Sequence, residues 1–350
     1  MKRNIRISDR EIGEKNPVFI VAELSANHNQ NYNLAVKTIK AAKESGADAI
    51  KLQTYTADTI TIDCDNKYFQ INQGTKWDGQ TLHKLYQKAY TPWEWQPKLK
   101  KEAEKLGMML FSSPFDKSAV DFLEKMKVPA YKVASPEITD TPLIEYMASK
   151  GKPMIISTGV ATLQDIEEAV NACKRKGNNN IIILKCTSGY PTPLEEVNLR
   201  TLPDLSKRFK AVVGVSDHTL GISVPIAAVA LGAKVIEKHF ILDRKAGGVD
   251  SFFSLEPKEF KDMVTAVREV EKALGKVTYQ MTAEMIKSRN FTRSLFITEY
   301  VKAGETLTEK NVRSIRPGYG LHPRYLNEVL GKKAKKNITK GTPLNWGLIK

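Results

Sequence analysis

Val212-Val213-Gly214-Val215-Ser216-Asp217-His218 and Val235-Ile236-Glu237-Lys238-His239-Phe240 are two β-branched runs separated by an amphipathic stretch over 224–231. A short apolar run, a helix and a second such run make the βαβ unit of a parallel sheet, whose neighbouring strands need a long crossover. Both runs begin apolar and turn polar further along, at Ser216-Asp217-His218 and Glu237-Lys238-His239. Six more runs precede them, over 18–24, 49–53, 108–113, 130–134, 154–158 and 181–187. Helical spacing fills most of the gaps, over 34–43, 118–125 and 163–174; Leu34, Ile39 and Ala42 mark one face of the first. Gly46, Gly107, Gly151, Gly177 and Gly232 stand where such helices should stop. A last helix over 257–274 closes the series. Eight strand–helix units in about 275 residues are the count of a TIM (β/α)8 barrel. A doubly wound sheet usually has fewer strands, and no Gly-rich dinucleotide fingerprint follows the first run. The expected organisation is an α/β barrel over 1–275 and a linker over 276–290. A small β-rich module over 291–350 follows, with short runs at 294–297 and 312–315.

Of the 350 residues, 41% are hydrophobic and 27% charged, a globular composition with material for a full core. No apolar run approaches the roughly 18–20 residues of a membrane span. The basic start Met1-Lys2-Arg3-Asn4-Ile5-Arg6 lacks the apolar stretch of a secretory signal, so neither membrane nor export is expected. Cys64, Cys173 and Cys186 are an odd set without CxxC spacing, which argues against a disulfide scaffold or thiolate zinc site and for a reducing cytoplasm. The 54 basic and 39 acidic residues leave a net charge of +15, for which a lysine-rich solvated surface is the plainer reading. The densest cluster, Lys332-Lys333-Ala334-Lys335-Lys336, has no interleaved aromatics, so no nucleic-acid partner is expected.

A barrel presents its chemistry at the carboxyl ends of its strands. Those ends carry Glu23; Lys51 and Gln53; Ser112 and Ser113; Lys132 and Ser135; Ser157 and Thr158; Cys186, Thr187 and Ser188; Ser216, Asp217 and His218; and Glu237 and His239. Buried polar groups are costly unless they are paired or used, and eight strands in a row aiming them at one rim point to function. Lys51 and Lys132 make an anion site. Ser113, Ser135, Ser157, Ser188 and Ser216, with backbone at Gly159 and Gly189, suit phosphate oxygens, although no Walker motif indicates a nucleotide. His218 and His239 end adjacent strands, which lie about 4.8 Å apart, so both rings can face one divalent ion. Two imidazoles with open positions suit Mn²⁺, Co²⁺ or Mg²⁺ better than a structural zinc. Glu23 and Glu237 are the carboxylates for proton transfer, and position alone does not choose between them. Cys186, with no base in view, reads as core. Residues 55–97, with Trp77, Trp93 and Trp95 among several tyrosines, read as a lid or as a helical subdomain on the rim.

Val21-Ala22-Glu23-Leu24-Ser25-Ala26-Asn27-His28, Ile50-Lys51-Leu52-Gln53-Thr54, Phe111-Ser112-Ser113-Pro114-Phe115-Asp116 and Tyr131-Lys132-Val133-Ala134-Ser135 resemble the sialic acid synthase family. Ser157-Thr158-Gly159, Cys186-Thr187-Ser188-Gly189-Tyr190-Pro191, Val215-Ser216-Asp217-His218-Thr219-Leu220-Gly221 and Ile236-Glu237-Lys238-His239-Phe240 continue the resemblance in order. Arg293-Ser294-Leu295 to Arg316-Pro317-Gly318-Tyr319-Gly320-Leu321 resembles that family's antifreeze-like (SAF) domain.

The resemblance implies a metal-dependent condensation of phosphoenolpyruvate with the open-chain aldehyde of an acylated amino sugar, releasing phosphate by C–O cleavage. It implies that His218 and His239 hold the metal, that Lys51, Ser113 and Lys132 grip the phosphoenolpyruvate carboxylate, and that Ser135, Ser157, Ser188 and Ser216 cradle its phosphate. Glu23 would activate water or make the matching proton transfer. Glu237, Gln53, Tyr190 and Asp250 would meet metal-side groups or sugar. Arg316 would reach the sugar's acyl group from the tail of a partner subunit, in a domain-swapped homodimer. Gly189 departs from the Asn that many relatives carry. Trp77-Asp78-Gly79-Gln80-Thr81-Leu82, Ala89-Tyr90-Thr91-Pro92-Trp93-Glu94-Trp95 and Leu24-Ser25 resemble the pseudaminic acid synthase branch, which uses 2,4-diacetamido-2,4,6-trideoxy-L-altrose. The competing substrates are N-acetylmannosamine and the legionaminic acid precursor, for an N-acetylneuraminic acid or legionaminic acid synthase.

Overall fold

A computed structural model describes residues 4–350, so Met1, Lys2 and Arg3 of the basic start lie outside the described residues. The chain divides after Gly275 into two compact units. No helix among the described residues is long and apolar enough to cross a membrane.

The first unit opens with an antiparallel hairpin, β1 (Ile5–Ile7) and β2 (Arg10–Ile12), which the sequence pattern does not announce. Eight parallel strands then close into a barrel: β3 (Phe19–Glu23), β4 (Ala49–Thr54), β5 (Met109–Pro114), β6 (Tyr131–Val133), β7 (Met154–Ser157), β8 (Ile181–Cys186), β9 (Val212–Asp217) and β10 (Val235–His239). Ile20, Ala22, Ile50, Leu52, Leu110 and Val133 face the helices and form the larger core. The alternate positions Phe19, Val21, Ala49, Phe111, Ile155, Leu184 and Val235 form a second core inside the barrel, which Ile5, Ile7 and Ile12 of the hairpin complete. Fully burying each isoleucine contributes about 1.5–3 kcal/mol, so the hairpin is an apolar plug at the amino end. Further along each strand the inward series turns polar: Phe19, Val21, Glu23 on β3, and Val235, Glu237, His239 on β10.

Helices Tyr32–Glu44, Lys117–Lys125 and Leu163–Arg175 bury one face each, and the glycines that end them at 46 and 177 take positive φ. Helix Ser223–Ala230 departs from the expected amphipathic pattern: Val224, Pro225, Ala228 and Val229 are buried and no charged residue lies on it. In the long connection after β4, Trp93 packs on Phe122 and Trp95 on Tyr32 and His28, so these two belong to the barrel wall. Only Trp77 of the three crosses to the loop after β10, donating from Nε1 to the Val249 carbonyl at 3.1 Å.

In the second unit β11 (Ser294–Ile297) pairs antiparallel with β12 (Val312–Ile315) over a small core of Leu295, Ile297, Val301, Leu307 and Leu344. The segment before it, with a helix at Ala283–Ser288, is less polar than its linker reading: Val277, Tyr279, Met285, Ile286 and Phe291 are all exposed.

Inside the barrel, a Cβ on Gly214 would lie 2.3 Å from the Val235 carbonyl oxygen and 2.8 Å from Leu184 Cδ2. Backbone on one side and a packed leucine on the other leave no easy relaxation. Gly214→Ala is therefore expected to destabilise the protein by about 1–3 kcal/mol. Calorimetry should find its melting temperature several degrees down. Gly189→Ala, whose nearest neighbour is 3.4 Å away, should melt like wild type.

Candidate active site

The polar half of the barrel is organised around one carboxylate. Glu237 Oε1 lies 3.3 Å from Lys51 Nζ and 3.5 Å from Lys132 Nζ, and accepts a hydrogen bond from Ser216 Oγ at 3.1 Å. Lys51 also pairs with Glu23, whose other oxygen accepts from the Ser25 amide at 2.9 Å. Strand register brings these groups together, for Glu23 stands level with Lys51 on one side and His239 on the other. All four charged side chains are buried. Burial raises Glu23, against the pull of Lys51, to about 7. For Glu237 burial acts in the same sense, but Lys132 and Lys51 outweigh it and hold the carboxyl below its ordinary range. Burial also draws the Lys132 ammonium down, with Glu237 opposing. The mouth thus holds two cations, one firm carboxylate, and one carboxyl poised to exchange a proton near neutrality.

A ring of small hydroxyls surrounds this cluster. Ser113, Ser157 and Ser188 have buried Oγ atoms without a hydrogen-bond partner, as does Oε2 of Glu237. Ser135 Oγ accepts from the Gly159 amide at 3.0 Å. A Cβ on Gly159 would meet Ser188 Oγ at 2.2 Å and Ser135 Oγ at 2.6 Å, so glycine keeps the cradle open. Unmade buried hydrogen bonds cost roughly 1–3 kcal/mol each, and a bound oxyanion would make several at once.

The two imidazoles share the same mouth, with ring centroids 5.3 Å apart. His218 Nδ1 is 3.1 Å from the Thr187 carbonyl, which can only accept, so Nδ1 carries a proton; burial lowers this ring, but Cys186 and the Thr187 carbonyl outweigh it and raise it above the usual imidazole range. His239 Nδ1 is buried with no partner, and burial together with His218 and Lys51 keeps that ring neutral, well below the usual imidazole range. No third His, Cys, Asp or Glu among the described residues completes a ligand cluster. Two imidazoles on adjacent strands, one of them neutral with an unsatisfied nitrogen, fit a divalent ion whose remaining positions belong to water or substrate.

Cys186 differs from its core reading, because His218 Nδ1 lies 3.7 Å from its sulfur. Burial works to raise this thiol, and His218, Ser135 and Lys132 bring it down to about 7. No signal in the sequence pairs these residues; the β8–β9 register does, by setting Cys186 beside Ser216.

An aromatic wall closes one side. Tyr190 packs on His218 at 4.5 Å, Phe253 on His239 at 4.7 Å, and Trp77 against Tyr190 at 5.8 Å. Asp250 accepts from Ser25 Oγ nearby. Gln53, half-buried, stands level with Ser113. Arg316 belongs to the second unit, exposed just after β12.

The NeuB family matches residues 38–279, and the SAF domain matches 292–350. The chain belongs to the NeuB family. A pseudaminic acid synthase of Campylobacter jejuni is 46% identical over 94% of this chain and 96% of its own. An N,N'-diacetyllegionaminic acid synthase of the same species is 39% identical over 91% of this chain and 96% of its own. The crystal structure of an N-acetylneuraminic acid synthetase from Leptospira borgpetersenii superposes with a TM-score of 0.73 at 34% identity, covering 83% of this chain and 97% of that one.

One acid of this NeuB-family mouth escapes the sequence reading, because it lies on the loop after β6 rather than at a strand end. Glu137 has a buried Oε2 without a partner, and burial, opposed by Lys132 and Lys51, lifts its carboxyl to about 7. The folded value lies above the unfolded one of about 4.3, so the fold favours the protonated acid; that contribution is intact below pH 4 and lost as pH rises through 7. Glu137→Gln should therefore match wild type near pH 4. At pH 8 it should be more stable by about 2 kcal/mol, allowing for partial exposure, as read from urea midpoints.

Proposed function

We propose that this NeuB-family chain is a pseudaminic acid synthase, condensing phosphoenolpyruvate with the open-chain aldehyde of 2,4-diacetamido-2,4,6-trideoxy-L-altrose. The observation that carries the reading is the meeting of two buried ammonium groups, a ring of unsatisfied serine hydroxyls and two imidazoles in one mouth. Lys51, Ser113 and Lys132 hold the substrate carboxylate, and Ser135, Ser157, Ser188 and Ser216 hold its phosphate. His218 and His239 are the residues that would bind a divalent ion, Mn²⁺, Co²⁺ or Mg²⁺, which when bound supplies Lewis-acid polarisation of the aldehyde oxygen. Carbon three of the enol forms the new bond to the aldehyde carbon as the carbonyl π bond opens and its oxygen takes up a proton, and Glu23 takes the proton of the water that adds to the cation left at C2. Phosphate then leaves with its bridging oxygen, giving the nine-carbon acid.

Two features favour the diacetamido sugar over N-acetylmannosamine and the legionaminic precursor. Similarity is higher to the pseudaminic than to the legionaminic relative. The Trp77–Tyr190–Phe252 wall suits a methyl group and a second acetamido better than a hydroxymethyl. The exposed Val277, Tyr279, Met285, Ile286 and Phe291 support a homodimer in which this segment is covered and Arg316 serves the mouth of a second copy.

Phosphate release should require phosphoenolpyruvate, the sugar and a divalent ion together, and should disappear with a chelator or in His239→Ala. With the three sugars in competition, the diacetamido-trideoxy sugar should lead N-acetylmannosamine by at least about tenfold in kcat/KM, the scale of a few apolar contacts. Equal use of both would sink the sugar assignment, and full turnover in chelator would sink the metal. Glu23 accepts a proton only when ionised, so kcat/KM should fall as pH drops below about 7. Glu23→Gln should lose that limb and about 10²–10⁴ in rate.

A further inference from the structure

Behind the mouth, on the helix-facing side of β9 and β10, Asp217 and Lys238 form a buried pair that the reaction described above does not use. Lys238 Nζ donates to Asp217 Oδ2 and to the Thr219 carbonyl, each at 2.5 Å. Asp217 Oδ1 accepts from the Thr219 amide at 3.0 Å. The two residues are register partners, so their side chains leave the barrel on the same side. Their neighbours in sequence go the other way: Glu237 and His239 flank Lys238, and His218 follows Asp217, all directed into the mouth.

One ammonium group therefore ties the backbone that carries His239 to the turn that carries His218. Little on the inner side could do this. His239 has an unpartnered Nδ1, and the two rings touch each other and Phe253 but share no hydrogen bond. Stability alone does not account for the pair. Desolvating two charges costs several kcal/mol each, and an apolar pair of similar volume is often at least as stable in a buried place.

We propose that Lys238 and Asp217 are positioning residues that fix the separation of His218 and His239, and that divalent-ion affinity depends on them. The inference rests on the two-imidazole reading of the metal site.

The test uses metal-free full-length protein and titrates Mn²⁺, with the free ion followed by electron paramagnetic resonance. Asp217→Leu/Lys238→Met removes both charges and keeps the volume. It is expected to melt within a few degrees of wild type yet bind Mn²⁺ about 10–100-fold more weakly, the usual penalty for disturbing groups behind metal ligands. A folded double variant that binds Mn²⁺ within twofold of wild type overturns the proposal. If the double variant does not fold, Asp217→Asn decides: it keeps the Oδ1 acceptor and loses the ion pair, so several-fold weaker binding supports positioning and unchanged binding refutes it. Wild type that binds no Mn²⁺ brings down the two-imidazole reading and this inference with it, a failure told apart by the arm in which it occurs.

Discussion

The carboxylate of Glu237, held between the ammonium groups of Lys51 and Lys132, is the interaction on which the mouth depends. Two like charges inside a closed barrel would repel, and at an effective dielectric near 20 a pair at 4 Å carries about 4 kcal/mol. Glu237 converts that repulsion into a bridge, and Ser216 fixes its orientation. Glu23 adds a second carboxyl, but burial lifts it to about 7, so its charge is not fully committed. The cluster of Lys51, Lys132, Glu237 and Glu23 is consequently balanced when Glu23 is ionised and net positive when it is protonated. A site that binds an anion and moves a proton near neutrality needs this adjustable balance.

That arrangement requires the barrel interior to change character along its axis. At the amino end, Phe19, Val21, Ala49, Phe111 and the isoleucines of the hairpin exclude water. One or two residues further along the same strands stand Glu23, Lys51, Ser113 and Glu237. The apolar floor keeps the charges in a low-dielectric setting, where their mutual attraction is strong and where an incoming oxyanion is worth more than in water. Gly214 belongs to this design, since any side chain there would push apart the strands that carry Ser216 and Glu237.

The barrel was legible because parallel strands buried on both faces read as continuous β-branched runs, and the eight runs lie within a few residues of the observed strands. The convergence of polar strand ends followed from the fold, since Lys51, Lys132, His218 and His239 all occupy inward positions. What the sequence hid are features without a period. The hairpin has strands of three residues, too short for alternation to be visible. Glu137 lies on a loop, where no strand parity assigns a direction. The Cys186–His218 contact depends on register across β8 and β9, which no local pattern encodes. Lys238 stands within the Ile236–Phe240 motif, yet its outward direction and its bond to Asp217 appear only when the two strands are set side by side.

Cavity size is a poor guide to function in this molecule, and hydrogen-bond satisfaction is a better one. A cleft of about 1550 Å³ opens at the amino end of the barrel, lined by Arg10, Asp48, Lys210, Arg268 and Glu271 among others. Its two half-buried carboxylates nevertheless have partners: Asp48 takes Arg10, Arg268 and the Ile20 amide, and Glu271 takes Arg268 and the Val18 amide. Those bonds stitch the hairpin and the last helix of the barrel to the strand starts, which is a structural task already complete. At the carboxyl end the reverse holds, with serine hydroxyls, a carboxylate oxygen and an imidazole nitrogen all buried and unpaired. A fold that leaves so many buried polar groups open at one end stores recognition where the bonds are missing.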